Sequence, residues 1–113
     1  MRKHALDGVR VVDFSWIVAG PTTTRMLADF GAEVIRIEYA QTLDYTRNIP
    51  SVGMGNSPNV SGTFNNLNRN KLGVTLNVMH PDGMELLREL ISVSDIVVEN
   101  FSSAVLSRCG LDY

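Results

Sequence analysis

Apolar residues fall along this chain in short β-branched runs separated by stretches of helical spacing. Residues 9–14 form the first run, mostly apolar on both sides of the alternation, and predict a strand buried on both faces of a parallel sheet. Gly20 and Pro21 then predict a turn into a helix, because a proline in the first helical position lacks only an N–H that has no partner there. Leu27 and Phe30 continue the apolar side of that helix, and Gly31 fits the position just past its end. Residues 34–38 predict a second strand, which completes a βαβ unit.

Residues 39–63 carry Pro50, Gly53, Gly55, Pro58 and several Asn and Ser with no sustained period, the pattern of one long loop. Residues 74–78 alternate as a third strand. His80-Pro81-Asp82-Gly83 opens a second helix, with Met84, Leu87, Leu90 and Ile91 on one face. Residues 96–99 predict a fourth strand, and residues 104–108 a short helix before Gly110. Strands alternating with helices define an α/β fold, a Rossmann-like and mostly parallel sheet with flanking helices. Three helices, one of them short, cover four strands thinly, so the chain reads as an incomplete part of a larger domain.

Composition narrows the function. A chain of 113 residues with 44% apolar content builds one small core. Ten basic against twelve acidic residues leave a net charge of −2, with no basic excess for nucleic acid and no basic run for an anionic membrane. Asp7, Arg10 and Asp13 interrupt the early apolar runs before they reach signal-peptide or transmembrane length, so a cytoplasmic protein is expected. The single Cys109 agrees with a reducing compartment. His4 and His80 have no partner at metal-ligand spacing, and no metal is expected.

In open α/β sheets ligands bind outside the carboxyl ends of the strands, here residues 15–21, 38–39 and 100–103. The turn through Ala19, Gly20 and Pro21 is either an ordinary strand-to-helix connection or an anion seat on unpaired helix N–H groups. Asn68-Arg69-Asn70-Lys71 is either a solvated turn or a set of phosphate donors. Asn100 and Phe101 are either a cap and a core residue or a hydrogen-bonding and stacking pair for a nucleotide. Asp44 and Arg47 read as a surface ion pair within a loop, worth about 0–1 kcal/mol. Glu38 at the end of the second strand also allows a small dinucleotide-binding module. The first turn speaks against that, since it supplies one glycine where G-x-G-x-x-G is needed.

Five blocks in fixed order, DFSWIVAGP at 13–21, LADFGAEVIRIE at 27–38, NRNK at 68–71, VVENF at 97–101 and RCGLDY at 108–113, resemble the amino-terminal segment of the family III CoA-transferases. That family includes formyl-CoA, carnitine and bile-acid CoA-transferases and the related 2-methylacyl-CoA racemases. The resemblance implies that residues 1–113 are the amino-terminal part of the family's large domain. It also implies coenzyme A as substrate, acyl-CoA and carboxylic acids as partners, and an interlocked homodimer for the complete enzyme. It implies covalent chemistry on an aspartate expected beyond Tyr113, so no catalytic residue is expected within the chain.

By the same resemblance Ile17, Val18, Ala19, Gly20, Pro21, Asn70, Lys71, Leu76, Asn100, Phe101, Arg108 and Cys109 are the cofactor-binding residues. Lys71 and Arg108 are the expected phosphate cations, so Lys71→Ala is expected to weaken CoA binding while stability changes little. One departure stands out. The family's L-D-x-K reads Leu76-Asn77-Val78-Met79 here, and Tyr39 stands where some members have arginine. The racemase branch, and a non-catalytic nucleotide-binding or interaction domain, are the alternatives.

Overall fold

A computed structural model describes residues 3–49, 55 and 57–111. Four strands form one sheet in the order β3-β2-β1-β4, with every neighbouring pair parallel. The strands are β1 (Arg10–Asp13), β2 (Glu33–Glu38), β3 (Leu72–Thr75) and β4 (Ile96–Val98). Three longer helices, α1 (Ala19–Asp29), α2 (Gly62–Leu67) and α3 (Pro81–Ser92), are joined by one turn of helix, α4 (Val105–Arg108). Among the described residues no helix is long and apolar enough to cross a membrane.

Side chains of a strand alternate between faces, and the core divides accordingly. Val11 and Val34 pack with Ala28 and Ala32 on the α1 side. Val12, Phe14 and Ile37 pack with Met84 and Leu87 on the α3 side. The central strands β1 and β2 are thus covered twice, and both faces carry buried apolar residues. β3 is exposed along its whole length, and Ile96 and Val97 of β4 are partly exposed.

Helix ends follow the expected chemistry with some shifts. Pro21 lies in the first turn of α1, two residues inside its start, where the missing N–H is still harmless. Gly31 adopts φ +103° just past the helix, in a place where a Cβ would meet His4. His80 caps α3 by accepting from the Asp82 N–H, with Pro81 following. Phe30, expected on the apolar side of α1, is instead exposed at its end.

Two further expectations are corrected. The loop at 39–63 contains a 3-10 turn (Tyr45–Asn48) and helix α2, whose Phe64 and Leu67 are buried; its portion at 50–54 and 56 lies outside the described residues. Asp44 and Ser61 nucleate these pieces by accepting from Thr46 N–H and Phe64 N–H. The third strand begins at Leu72 rather than at residue 74 and ends at Thr75. Asn77 turns the chain away by accepting the Met79 N–H on its side chain.

The two faces of α3 should respond unequally to truncation. Leu87→Ala, at a fully buried position, should lower unfolding free energy by about 2–5 kcal/mol. Leu86→Ala, exposed next to it, should change it by less than about 0.5 kcal/mol in the same urea titration.

Candidate functional site

Because all four strands run the same way, the segments that leave them gather at one edge of the sheet. There an apolar cavity of about 150 Å³ opens between the sheet, α3 and α4. Phe14, Trp16, Tyr39, Leu76, Phe101 and Cys109 are among the side chains that line it. Trp16 and Phe101 meet edge to face with ring centroids 6.1 Å apart. Asn100 fixes Trp16 from behind. Its Oδ1 accepts the Trp16 N–H and its Nδ2 donates to the Trp16 carbonyl, both at 2.8 Å.

A buried ionic network lies next to the cavity. Asp13 ends β1 with its side chain fully enclosed. One carboxylate oxygen accepts from the Ser15 N–H and hydroxyl, the other from Thr24 Oγ1 at 2.7 Å and Lys71 Nζ at 2.9 Å. Arg36, at the matching position of β2, donates Nη1 to the Ser15 carbonyl at 2.8 Å and Nη2 to Asp44 at 2.6 Å. Its Nε donates to Glu38 at 2.8 Å, and Glu38 also accepts from Arg47. The Arg47 guanidinium lies 3.5 Å from the centre of the Phe64 ring.

Burial alone would raise the Asp13 carboxyl. The Ser15 hydrogen bond, the Lys71 charge and the Thr24 hydrogen bond outweigh it and hold the group below its ordinary value. Burial pulls Lys71 below its ordinary value, and Asp13 restores only part of that.

This geometry relocates several residues. Lys71 does not face outward. Its side chain is 2% exposed, and its three donors go to Asp13, the Pro21 carbonyl and Asn68 Oδ1. Asn70 and Arg69 both hold Asp29 at the end of α1, away from the cavity, and the Arg69 hydrogen bond is the main cause of the lowered Asp29 carboxyl. The block thus fastens the approach to β3 onto α1, with Lys71 turned inward and Arg69 and Asn70 exposed at the surface.

Asp44 and Arg47 are likewise not a surface pair. Asp44 is fully enclosed and bound to Arg36, while Arg47 pairs with Glu38. The same pairing occupies Glu38, the residue that a dinucleotide-binding reading would need for a ribose.

Leu76, Phe101 and Cys109 come together around the cavity. Arg108 and Cys109 also border a neighbouring groove of about 220 Å³ with Met79 and His80. Gly20 is packed so closely that a Cβ would lie 2.1 Å from the Ser15 Cβ and 3.3 Å from the Asn100 Cγ. Pro21 contributes its carbonyl to Lys71, and Ile17, Val18 and Ala19 are exposed at the head of α1. No side chain caps that helix. Ile17 holds φ +67°, a conformation that costs a β-branched residue about 1–3 kcal/mol.

The residues that motif reading passed over are Trp16, Asp13 and Arg36. The charges in VVDF and VIRIE were the available signal, since a charge within a doubly covered strand must have a buried partner.

An all-parallel α/β sheet with an apolar cavity and charged groups gathered at its carboxyl edge defines a ligand-binding protein of Rossmann-like kind. The description CoA-transferase family III matches residues 6–113, and the chain belongs to that family. Formyl-CoA:oxalate CoA-transferases of Rhodopseudomonas palustris strain BisA53 and Bradyrhizobium sp. strain ORS 278 are each 44% identical to it over 110 residues. Each alignment covers 96% of this chain and 25% of the relative, so the chain spans about a quarter of their length.

Two solved structures are also similar. A CAIB/BAIF family protein from Brucella suis superposes with a TM-score of 0.85 at 35% identity, covering 99% of this chain and 30% of that one. A hypothetical protein from Mycobacterium tuberculosis gives 0.82 at 32% identity, covering 96% and 29%.

Removing Lys71 should destabilise the fold. Lys71→Ala leaves the buried Asp13 without its closest cation, with only Arg36 at 3.8 Å, and should lower unfolding free energy by about 3–5 kcal/mol. The double change Lys71→Ala with Asp13→Asn should lose less than Lys71→Ala alone, a coupling that chemical denaturation of the four forms measures.

The lowered Asp13 carboxyl also sets a pH dependence. Its stabilisation is complete above the ordinary value of 3.8 and disappears as pH falls through the lower folded value. Asp13→Asn should therefore flatten the decline in stability below about pH 4.

Proposed function

We propose that this chain is the CoA-binding part of an enzyme that transfers coenzyme A between an acyl-CoA thioester and a carboxylic acid. The observation that carries the proposal is the apolar, aromatic-walled cavity at the carboxyl edge of the sheet, in a chain of this family. Trp16, Tyr39, Leu76 and Phe101 offer an apolar, aromatic wall of the kind an adenine or pantetheine portion can occupy. Arg108 is the phosphate partner in this reading: it borders the adjoining groove and makes no ion pair among the described residues. The relatives' names specify formyl-CoA and oxalate, and a small acyl group with a small carboxylic acid is the corresponding substrate class here.

The carboxylates near the cavity support leaving the covalent step unassigned within these residues. Asp13, Glu38 and Asp44 are held in ion pairs, and Glu99 accepts the Phe101 N–H at 2.7 Å. A carboxylate committed in this way is a poor nucleophile, because attack on a thioester would leave its cation unpaired. The chain alone should therefore bind CoA without exchanging it. The same reading implies a cytoplasmic homodimer acting on small molecules, with no nucleic-acid or membrane partner.

Calorimetric titration with CoA and with NAD tests the proposal. CoA should bind and NAD should not. Arg108→Ala should weaken CoA by about 1.5–3 kcal/mol, the scale of a hydrogen bond to a charged group, with thermal stability unchanged. Absence of CoA binding, or CoA affinity indifferent to Arg108, would sink the assignment.

A further inference from the structure

Three consecutive residues leaving β1 are gripped through their backbone by side chains from separate parts of the chain. Asp13 holds the Ser15 N–H, and Arg36 holds the Ser15 carbonyl. Asn100 holds both the N–H and the carbonyl of Trp16. Asp44 holds the Ile17 N–H, at 3.3 and 3.4 Å from its two oxygens.

The last of these contacts stands apart. Ile17 sits in the left-handed region, unfavourable for a branched side chain, yet that side chain is not buried in return: Ile17 is 51% exposed and Val18 is similarly open. Packing therefore gives no reason for the conformation. What fixes it is a fully enclosed carboxylate from the segment after β2, itself held by Arg36 and by the Thr46 N–H and hydroxyl. The held residue immediately follows Trp16, which lines the cavity. A strained, exposed backbone fixed by a buried anion beside a ligand cavity is the signature of a preorganised contact surface.

We propose that Asp44 is a positioning residue: by holding the Ile17 amide it keeps residues 17–18 in the shape in which they meet the thioester ligand. The inference rests on the reading of the cavity as an acyl-CoA site. Asp44 touches no ligand itself. It acts through Ile17.

The test uses the 113-residue chain, with amide hydrogen exchange and CoA calorimetry on Asp44→Asn, Ile17→Gly and their combination. Asp44→Asn should speed exchange at Ile17 by about tenfold or more while Val12 and Ile35 in the sheet stay protected. CoA affinity should fall by about tenfold. In the Ile17→Gly background the left-handed conformation carries no strain, so adding Asp44→Asn should weaken CoA by less than about threefold. Equal penalties in the two backgrounds, or unchanged exchange at Ile17, overturn the proposal, since an anion needed only to partner Arg36 would give either.

Should Asp44→Asn fail to fold, Ile17→Pro cuts the same link from the other end, removing the N–H and the positive φ without unpairing Arg36. Retained CoA affinity in Ile17→Pro then overturns the proposal. If the unaltered chain binds no CoA while exchange at Ile17 still depends on Asp44, the acyl-CoA reading fails and the positioning role of Asp44 stands.

Discussion

Arg36 is the residue on which the carboxyl edge of this sheet depends. A guanidinium with almost no exposure to water is tolerable only if its donors all find acceptors, and each of its acceptors comes from a different place in the chain. Glu38 fixes the end of β2 itself, the Ser15 carbonyl fixes the chain leaving β1, and Asp44 brings back the segment after β2. Once Asp44 is drawn in, the turn at residues 45–48 follows, and Arg47 lies over Phe64 to seat α2. The arrangement adds little net attraction, because desolvating the charges offsets most of their mutual energy. What it adds is specificity: each buried charge is partnered by a group from a different segment, which ties those segments to one another.

Much of this fold was legible in the sequence for a simple reason. β1, β2 and α3 are covered on their apolar sides, so burial writes itself into the spacing of Val11, Val12, Val34, Ile37, Met84 and Leu87. β3 is exposed along its length, so burial gave no signal that would place its start at Leu72 rather than residue 74. The 3-10 turn and α2 escaped because they are specified by polar side chains, Asp44 and Ser61, whose capping roles do not repeat with any period. The site divides along the same line. Leu76, Phe101 and Cys109 could be grouped from motifs, since apolar wall residues follow strand ends.

The direction of Lys71 could not be read in that way. A lysine immediately before an edge strand looks exposed until the register shows Asp13 within reach of its side chain. Resemblance identified the block as important and physical chemistry gave it a different task. The same correction applies to Asp44 and Arg47, which are close in sequence but bonded to different partners. The sequence suggests a local pair for Asp44 and Arg47 and an outward-facing cation for Lys71, whereas burial assigns each to a partner distant in sequence.

The cavity and the ionic network meet at Glu38, which lines the one and is paired to Arg36 and Arg47 in the other. Trp16, Tyr39, Leu76 and Phe101 line the cavity with side chains that enter no ion pair, while the backbone beneath Trp16 is held by Asn100 and its neighbours. The two sets of residues are therefore under different constraints. Exchange within the network leaves a buried partner unpaired unless a second position changes with it, so single substitutions there are costly. Exchange at Trp16, Tyr39 or Leu76, outside the buried core cluster, reshapes the cavity at less cost to the scaffold than exchange at Phe14, Ile37 or Leu87. A lineage built on this segment can retune its ligand one residue at a time.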